Sequence, residues 1–133
     1  MMGMAIDQQA LALISLRAGR AQEARDHLSA TLDYVVSSGD SEQLANALEL
    51  TASITADLGD GLRAARLAGA AETVRQLAGM PMSQSDAAML ERFLAPARAM
   101  IPRQTWDAEL AVGRALTRQQ MVKLLLSANA PVT

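Results

Sequence analysis

Side chains that do chemistry near neutral pH are an imidazole, an activated nucleophile or a cluster of metal ligands, and this chain offers little of each. It has one histidine, His27, and no cysteine, so disulfides and thiolate metal sites fall away. His27 stands between Asp26 and Leu28 in a helical stretch with no nucleophile near it in the sequence, and it reads as a surface side chain. Two acid pairs, Asp57 with Asp60 and Asp107 with Glu109, have the spacing to act as acid and base or to share a cation. Both fall where helices begin or end, and a carboxylate there ordinarily satisfies free amides and the helix dipole. Gly59-Asp60-Gly61 has the glycines of a phosphate loop without its lysine and hydroxyl residue, so it reads as a turn. These residues point to no enzyme, no metal and no cofactor. The expectation is a module that binds.

What would position a binding surface is helix. Half of the 133 residues are apolar, with Ala, Leu and Met prominent, and Tyr34, Phe93 and Trp106 are the only aromatic residues. That mixture loses little freedom in a helix, whereas strands prefer β-branched and aromatic side chains. Glycines recur at Gly19, Gly39, Gly59 and Gly79, a spacing of 20, and superposing alternate ones aligns Ala12 with Ala52, Gly19 with Gly59 and Ala24 with Ala64 in a unit of 40 residues. Small residues on either side of a turn let two helices cross closely. The fold class expected is therefore all-α, with antiparallel helical hairpins stacked as a short right-handed superhelix of about seven helices in a single domain over residues 1–133. Hairpins are expected at 5–37 and 41–78, then a third with a capping helix over 84–127.

Helix by helix, the first is expected from Ala5 to Ala18, with Ile6, Leu13 and Leu16 spread around it and Leu11, Ile14 and Ala18 as its inward stripe. The second runs from Ala21 to Val36, burying Ala21, Ala24, Leu28, Leu32 and Val35 and turning Arg25, Asp26, His27 and Asp33 outward. Asp40 or Ser41 caps the third, which buries Leu44, Leu48, Ala52 and Ile54. The fourth buries Leu67, Ala70 or Ala71, Val74 and Leu77, with Gly69 predicting a close neighbour. The fifth, Asp86 to Met100, turns Leu90, Phe93, Leu94 and Ala97 inward and is kinked or ended early by Pro96. Pro102 opens the sixth and Gly113 closes it. Thr117 and Gln120 have capping-box spacing for the seventh, Arg118 to Ser127, which ends before Asn129 and Pro131.

The aligned positions resemble the tetratricopeptide repeat, lengthened from about 34 residues. From Gly59 to Leu126 the chain is also similar to the end of the helical-repeat region of large bacterial transcriptional regulators, of the LuxR-type ATPase and antibiotic-regulator classes. Trp106, Gly113, Arg114, Ala115 and Thr117 carry that likeness. It implies a tetratricopeptide-like scaffold for signal reception or self-association. The sequence contains no P-loop and no complete DNA-binding domain, so neither activity is carried over.

The surface expected to bind is the concave face lined by first helices: Gln9, Leu13, Arg17, Asn46, Glu49 and Ser53. Its mixed character suits a protein or peptide partner, or a second copy giving a homodimer, with Met80, Met82, Met89 and Met100 as adaptable apolar contacts. Two other classes remain open. One is a small-molecule sensor with a pocket between the hairpins and the Phe93 to Trp106 cap. The other is a DNA-binding accessory domain in which Arg114, Arg118, Gln119, Gln120 and Lys123 reach the groove.

A net charge of −2 argues against nucleic acid, although the charge is unevenly spread: three basic and nine acidic residues through residue 60, nine basic and five acidic after it. The poles could attract head to tail. The amino terminus has no basic leader and no apolar run approaches about 20 residues, so neither a secretion signal nor a membrane span is expected, and a cytoplasmic location is the default. The helical pattern begins almost at once, which suggests a piece of a longer protein or a truncated reading frame.

Overall fold

Glycine in the left-handed region sets the hinges. Gly19, Gly39, Gly59 and Gly79 have φ of 81°, 68°, 94° and 66°, and each directly follows or nearly follows a helix end in the computed structural model, which describes residues 4–130 and side chains from Gln8 onward. At three of them the closure is the same. Gly19 N donates to Leu16 O and Arg20 N to Ser15 O; 40 residues on, Gly59 N donates to Ala56 O and Asp60 N to Thr55 O; Gly79 and Met80 repeat it on Gln76 and Arg75. This paired closure is the Schellman motif, which satisfies carbonyls a helix end otherwise leaves free. A Cβ on Gly59 would meet nothing within 4 Å, so Gly59→Ala carries only the conformational penalty of about 1–2 kcal/mol. Denaturant unfolding checks this, and a neutral Gly59→Ala would show that residue 59 is not left-handed.

The described residues form helices and no strands: α1 Met4–Arg17, α2 Ala21–Ser29, α3 Leu32–Ser38, α4 Ser41–Asp57, α5 Gly61–Ala78, α6 Gln84–Ala99, α7 Arg103–Arg114 and α8 Arg118–Ala128. The fold is all-α, with eight helices where the sequence predicted about seven. The extra one arises because the expected second helix breaks at Ala30 and Thr31, where the buried Thr31 hydroxyl donates to Leu28 O at 2.9 Å and competes with the helical ladder. Its predicted buried face is intact across the break.

α1 and α2 fold against each other. α5 lies between α4 and α7, α6 rests chiefly on α4, and α8 returns to α4 and α5. The four aligned alanines, Ala12, Ala24, Ala52 and Ala64, are fully buried, as are Leu16, Leu28, Leu44, Leu48, Ile54, Leu67 and Leu125. Close crossing near each hinge is what makes a small residue necessary there.

Several expectations need correction. α1 is rotated from its predicted register: Ala12, Ser15 and Leu16 face inward, whereas Leu11, Ile14 and Ala18 are exposed, Ile14 by 58 %. The small side chains were preferred inside because α2 lies close. Leu77, predicted to be buried, is 84 % exposed. Pro96 does not end α6, which runs to Ala99. Pro102 is the residue before α7 rather than its first. His27 is half-buried and its Nδ1 lies 3.1 Å from Gln8 Oε1 on α1. The side chain of Ile6 and the whole of Pro131 lie outside the described residues.

Gly113 does not close its helix either. It is buried inside α7, where a Cβ would come within 2.0 Å of Arg66 O on α5, and a Cβ on Gly69 would come within 2.2 Å of Leu110 O on α7. The two glycines are reciprocal: each admits the other helix's backbone. Around this contact Arg66 pairs with Glu109 at 2.5 Å, Thr73 Oγ1 donates to Arg114 O at 2.8 Å, and Arg114 pairs with Glu72 at 2.9 Å.

α8 opens with the predicted capping box, Thr117 with Gln120, and ends on the buried Asn129. Asn129 Nδ2 donates to Thr51 Oγ1 at 3.1 Å and to Leu125 O at 2.9 Å, while its backbone carbonyl accepts from Ser29 Oγ at 3.2 Å. α8 is thereby tied to α2 and α4.

Candidate binding groove

A polar cluster that joins α4 to α5 shapes a binding surface. Glu49 on α4 faces outward from the hairpin toward α6, and a carboxylate placed there among apolar neighbours needs a partner. Arg75, near the end of α5, supplies it: Nε lies 2.5 Å from Glu49 Oε2 and Nη2 2.8 Å from Oε1. The same guanidinium donates to Asn46 Oδ1 at 2.8 Å and to the Met80 carbonyl at 3.1 Å. The two side chains are only 13 % and 11 % exposed. The hydrogen bonds to Glu49 raise the Arg75 pKa above its ordinary value, more than burial lowers it, so the guanidinium is charged at any working pH. The Met80 contact fixes the loop that follows, up to Ser83, which caps α6 by accepting from Asp86 N at 3.1 Å.

This loop completes a groove of about 290 Å³ between α1, α4 and α6. Gln9, Ala10 and Leu13 form one wall, Asn46, Glu49, Leu50 and Ser53 the floor, and Met82, Asp86, Met89 and Leu90 the other wall. Five of the six residues predicted for the concave face, Gln9, Leu13, Asn46, Glu49 and Ser53, therefore line one cavity. Arg17 does not; it is exposed at the end of α1. Of the opposite wall, the sequence singles out Met82 and Met89 as adaptable contacts but does not bring them together with Asp86 and Leu90. Met80 offers its carbonyl inward, and Met100 is fully on the outside.

The floor's polar groups are partly committed. Ser53 Oγ donates to Glu49 O at 3.1 Å, and Gln9 Nε2 donates to Gln43 Oε1 at 3.4 Å. Asn46 accepts from Arg75 through Oδ1. A second cleft, about 460 Å³, lies on the other side of Met82 and Leu90 and shares Glu49 with the first. The arrangement has no nucleophile and base in contact. What it offers is a mostly apolar trough with a fixed polar floor.

No protein-family model, curated protein or solved structure matches the chain.

The remaining predicted sites fall elsewhere. Of the two acid pairs, Asp60 caps α5 and pairs with Arg63 at 3.5 Å, Asp107 pairs with Arg103 at 3.8 Å, Glu109 holds Arg66, and Asp57 is exposed. Two clefts lie between the hairpins and the Phe93 to Trp106 segment. Trp106 borders a cleft of about 220 Å³ with Leu94 and Arg98, and Phe93 a different one with Met100 and Ile101. Of the side chains proposed to reach DNA, Arg114 is paired with Glu72, Gln120 closes the capping box, and Arg118 donates to Gly39 O at 2.9 Å and to Ser41 Oγ at 3.2 Å. No helix among the described residues is long and apolar enough to cross a membrane.

Arg98 stacks 5.8 Å above the Trp106 ring and pairs with Glu91, and that hydrogen bond holds the Glu91 carboxyl below its ordinary range. A depressed carboxylate stabilises above its unfolded pKa, and the contribution disappears as pH falls through the folded value. Glu91 is more than half exposed, so solvent limits the effect to under about 0.5 kcal/mol. The Tm difference between wild type and Glu91→Gln should be small at neutral pH and vanish in acid; a difference growing in acid would contradict the pairing.

Proposed function

We propose that this chain is a non-catalytic protein-interaction module, a short tetratricopeptide-like stack that takes a peptide or partner helix in the groove between α1, α4 and α6. One observation carries the reading: a trough walled by Leu13, Met82, Met89 and Leu90 has a floor whose polar groups are held in place by the Glu49–Arg75 pair. Grooves of this kind accept the apolar face of an amphipathic helix, and methionine walls adapt to its shape. Service within a bacterial transcriptional regulator, in the cytoplasm, is part of the proposal. It draws on the likeness of the Gly59 to Leu126 segment and on the role of its residues: Trp106 is buried and Gly113 is the α5–α7 contact.

Selection of a displayed peptide library on wild type and on Ala10→Trp tests the reading. Ala10 is an exposed wall residue, so a tryptophan there obstructs the trough without entering the core. Peptides enriched on wild type and lost on Ala10→Trp are expected; enrichment indifferent to Ala10→Trp would remove the groove from consideration.

A further inference from the structure

We infer that the groove selects a basic partner, an amphipathic peptide helix whose apolar face enters between Leu13, Leu50 and Leu90 and whose flanking lysine or arginine faces Asp86. The inference rests on the reading of the groove as a peptide site and adds the sign of the occupant's charge. Within the floor, Glu49 and Arg75 cancel. Asp86 is an exposed wall residue with no ion-pair partner among the described residues, and Glu42, on the first turn of α4, has none either. Both lie close enough to Arg75 to act on it electrostatically. The Arg75 guanidinium already donates twice to Glu49 and once each to Asn46 and Met80, and neither Asp86 nor Glu42 is bonded to it. α1 and α4 also belong to the acidic part of the chain, which carries nine acidic and three basic residues. A cleft lined by one sign of charge beside low-dielectric walls concentrates the opposite sign. An acidic peptide would bring a like charge to Asp86, and no lysine or arginine is among the residues that line the groove.

The occupant is a helix rather than a small cation because the floor from Asn46 to Ser53 extends about two helical turns with apolar walls on both sides. Asp86 stands at one edge only, so it sets charge and register while the apolar contacts supply area.

Three synthetic helical peptides of about four turns share one leucine face and differ in flanking residues: lysine, glutamine or glutamate. Binding is read by fluorescence anisotropy of the labelled peptide and located by the NMR methyl signals of Met82 and Met89. The lysine peptide is expected to bind roughly three- to tenfold tighter than the glutamine peptide, and the glutamate peptide more weakly than both. Asp86→Asn should remove most of that preference, Asp86→Lys should reverse it, and added salt should narrow it. Circular dichroism verifies that both variants are folded. If all three peptides shift the methionine methyls with equal affinity, or the glutamate peptide binds best, the charge inference is overturned while the groove remains a peptide site. If none of them shifts those methyls, the peptide reading itself fails.

Discussion

Gly113→Ala is expected to destabilise this protein by about 3 kcal/mol or more, well beyond an ordinary surface substitution. The new Cβ would stand 2.0 Å from Arg66 O and under 3 Å from two further backbone atoms of the same residue. Backbone in the middle of a helix cannot swing aside as a side chain can, so α7 must move away from α5 as a unit. That displacement pulls at Trp106, Leu110, the Arg66–Glu109 pair and the Thr73 hydrogen bond together. Alanine's better helix propensity returns only about 1 kcal/mol. Gly69→Ala should act alike, since its Cβ would meet Leu110 O at 2.2 Å. The pair should be far from additive, because helices already separated by one methyl have room for the other. Denaturant unfolding followed by Trp106, the sole tryptophan, reports both stability and the separation, through a red-shifted emission in the folded variant. Wild-type stability in Gly113→Ala would mean that α5 and α7 do not approach this closely.

Glycine illustrates what could be read in advance and what could not. The hinge glycines were visible because they repeat at 20, and repetition with small neighbours 40 residues apart has few explanations other than stacked hairpins. Gly113 carries no such periodic partner. A helix-closing glycine and a contact glycine look alike in sequence, and only the mutual approach of Gly69 and Gly113 tells them apart. Faces were legible where apolar and polar residues separate, as in α2. In α1, MAIDQQALALISLR, apolar residues occur all round, so helical spacing also fits the stripe of Leu11, Ile14 and Ala18, while the close α1–α2 crossing needs Ala12 and Ser15 inside. The Ala30–Thr31 break has no glycine or proline to mark it.

The groove was half legible for a similar reason. Its α1 and α4 residues follow from the repeat, which places equivalent positions on equivalent faces. The α6 wall depends on how a loop containing Pro81 returns α6 toward α4, and that angle has no local signature. Nor does the partnership of Glu49 with Arg75, 26 residues apart and on different helices. Asn129 reads in sequence as a residue beyond a helix end; its burial follows from α8 docking against Thr51 and Ser29, contacts 78 and 100 residues away.

Arg75→Met should be the most damaging polar substitution, at about 3–5 kcal/mol, because it leaves the Glu49 carboxylate buried without a counter-ion. The side chains are 13 % and 11 % exposed, which separates this pair from Arg20–Glu23, at 61 % and 50 %, where loss should be within about 0.5 kcal/mol. Removing both charges is a different experiment from removing one. Glu49→Leu with Arg75→Met eliminates the stranded ion and adds apolar area, so the double variant should recover most of the single variant's loss. It still forfeits the hydrogen bonds to Asn46 Oδ1 and Met80 O, each worth about 0.5–1.5 kcal/mol, so recovery should stop short of wild type. Because Met80 O anchors the loop that carries Met82, the stable double variant should nevertheless show a displaced Met82 methyl signal and weakened peptide binding. That separates the pair's two roles: the single variant reports on burial of charge, the double variant on the shape of the groove. A loss below about 1 kcal/mol in Arg75→Met would place the pair in solvent, and an unmoved Met82 in the double variant would detach the groove from it.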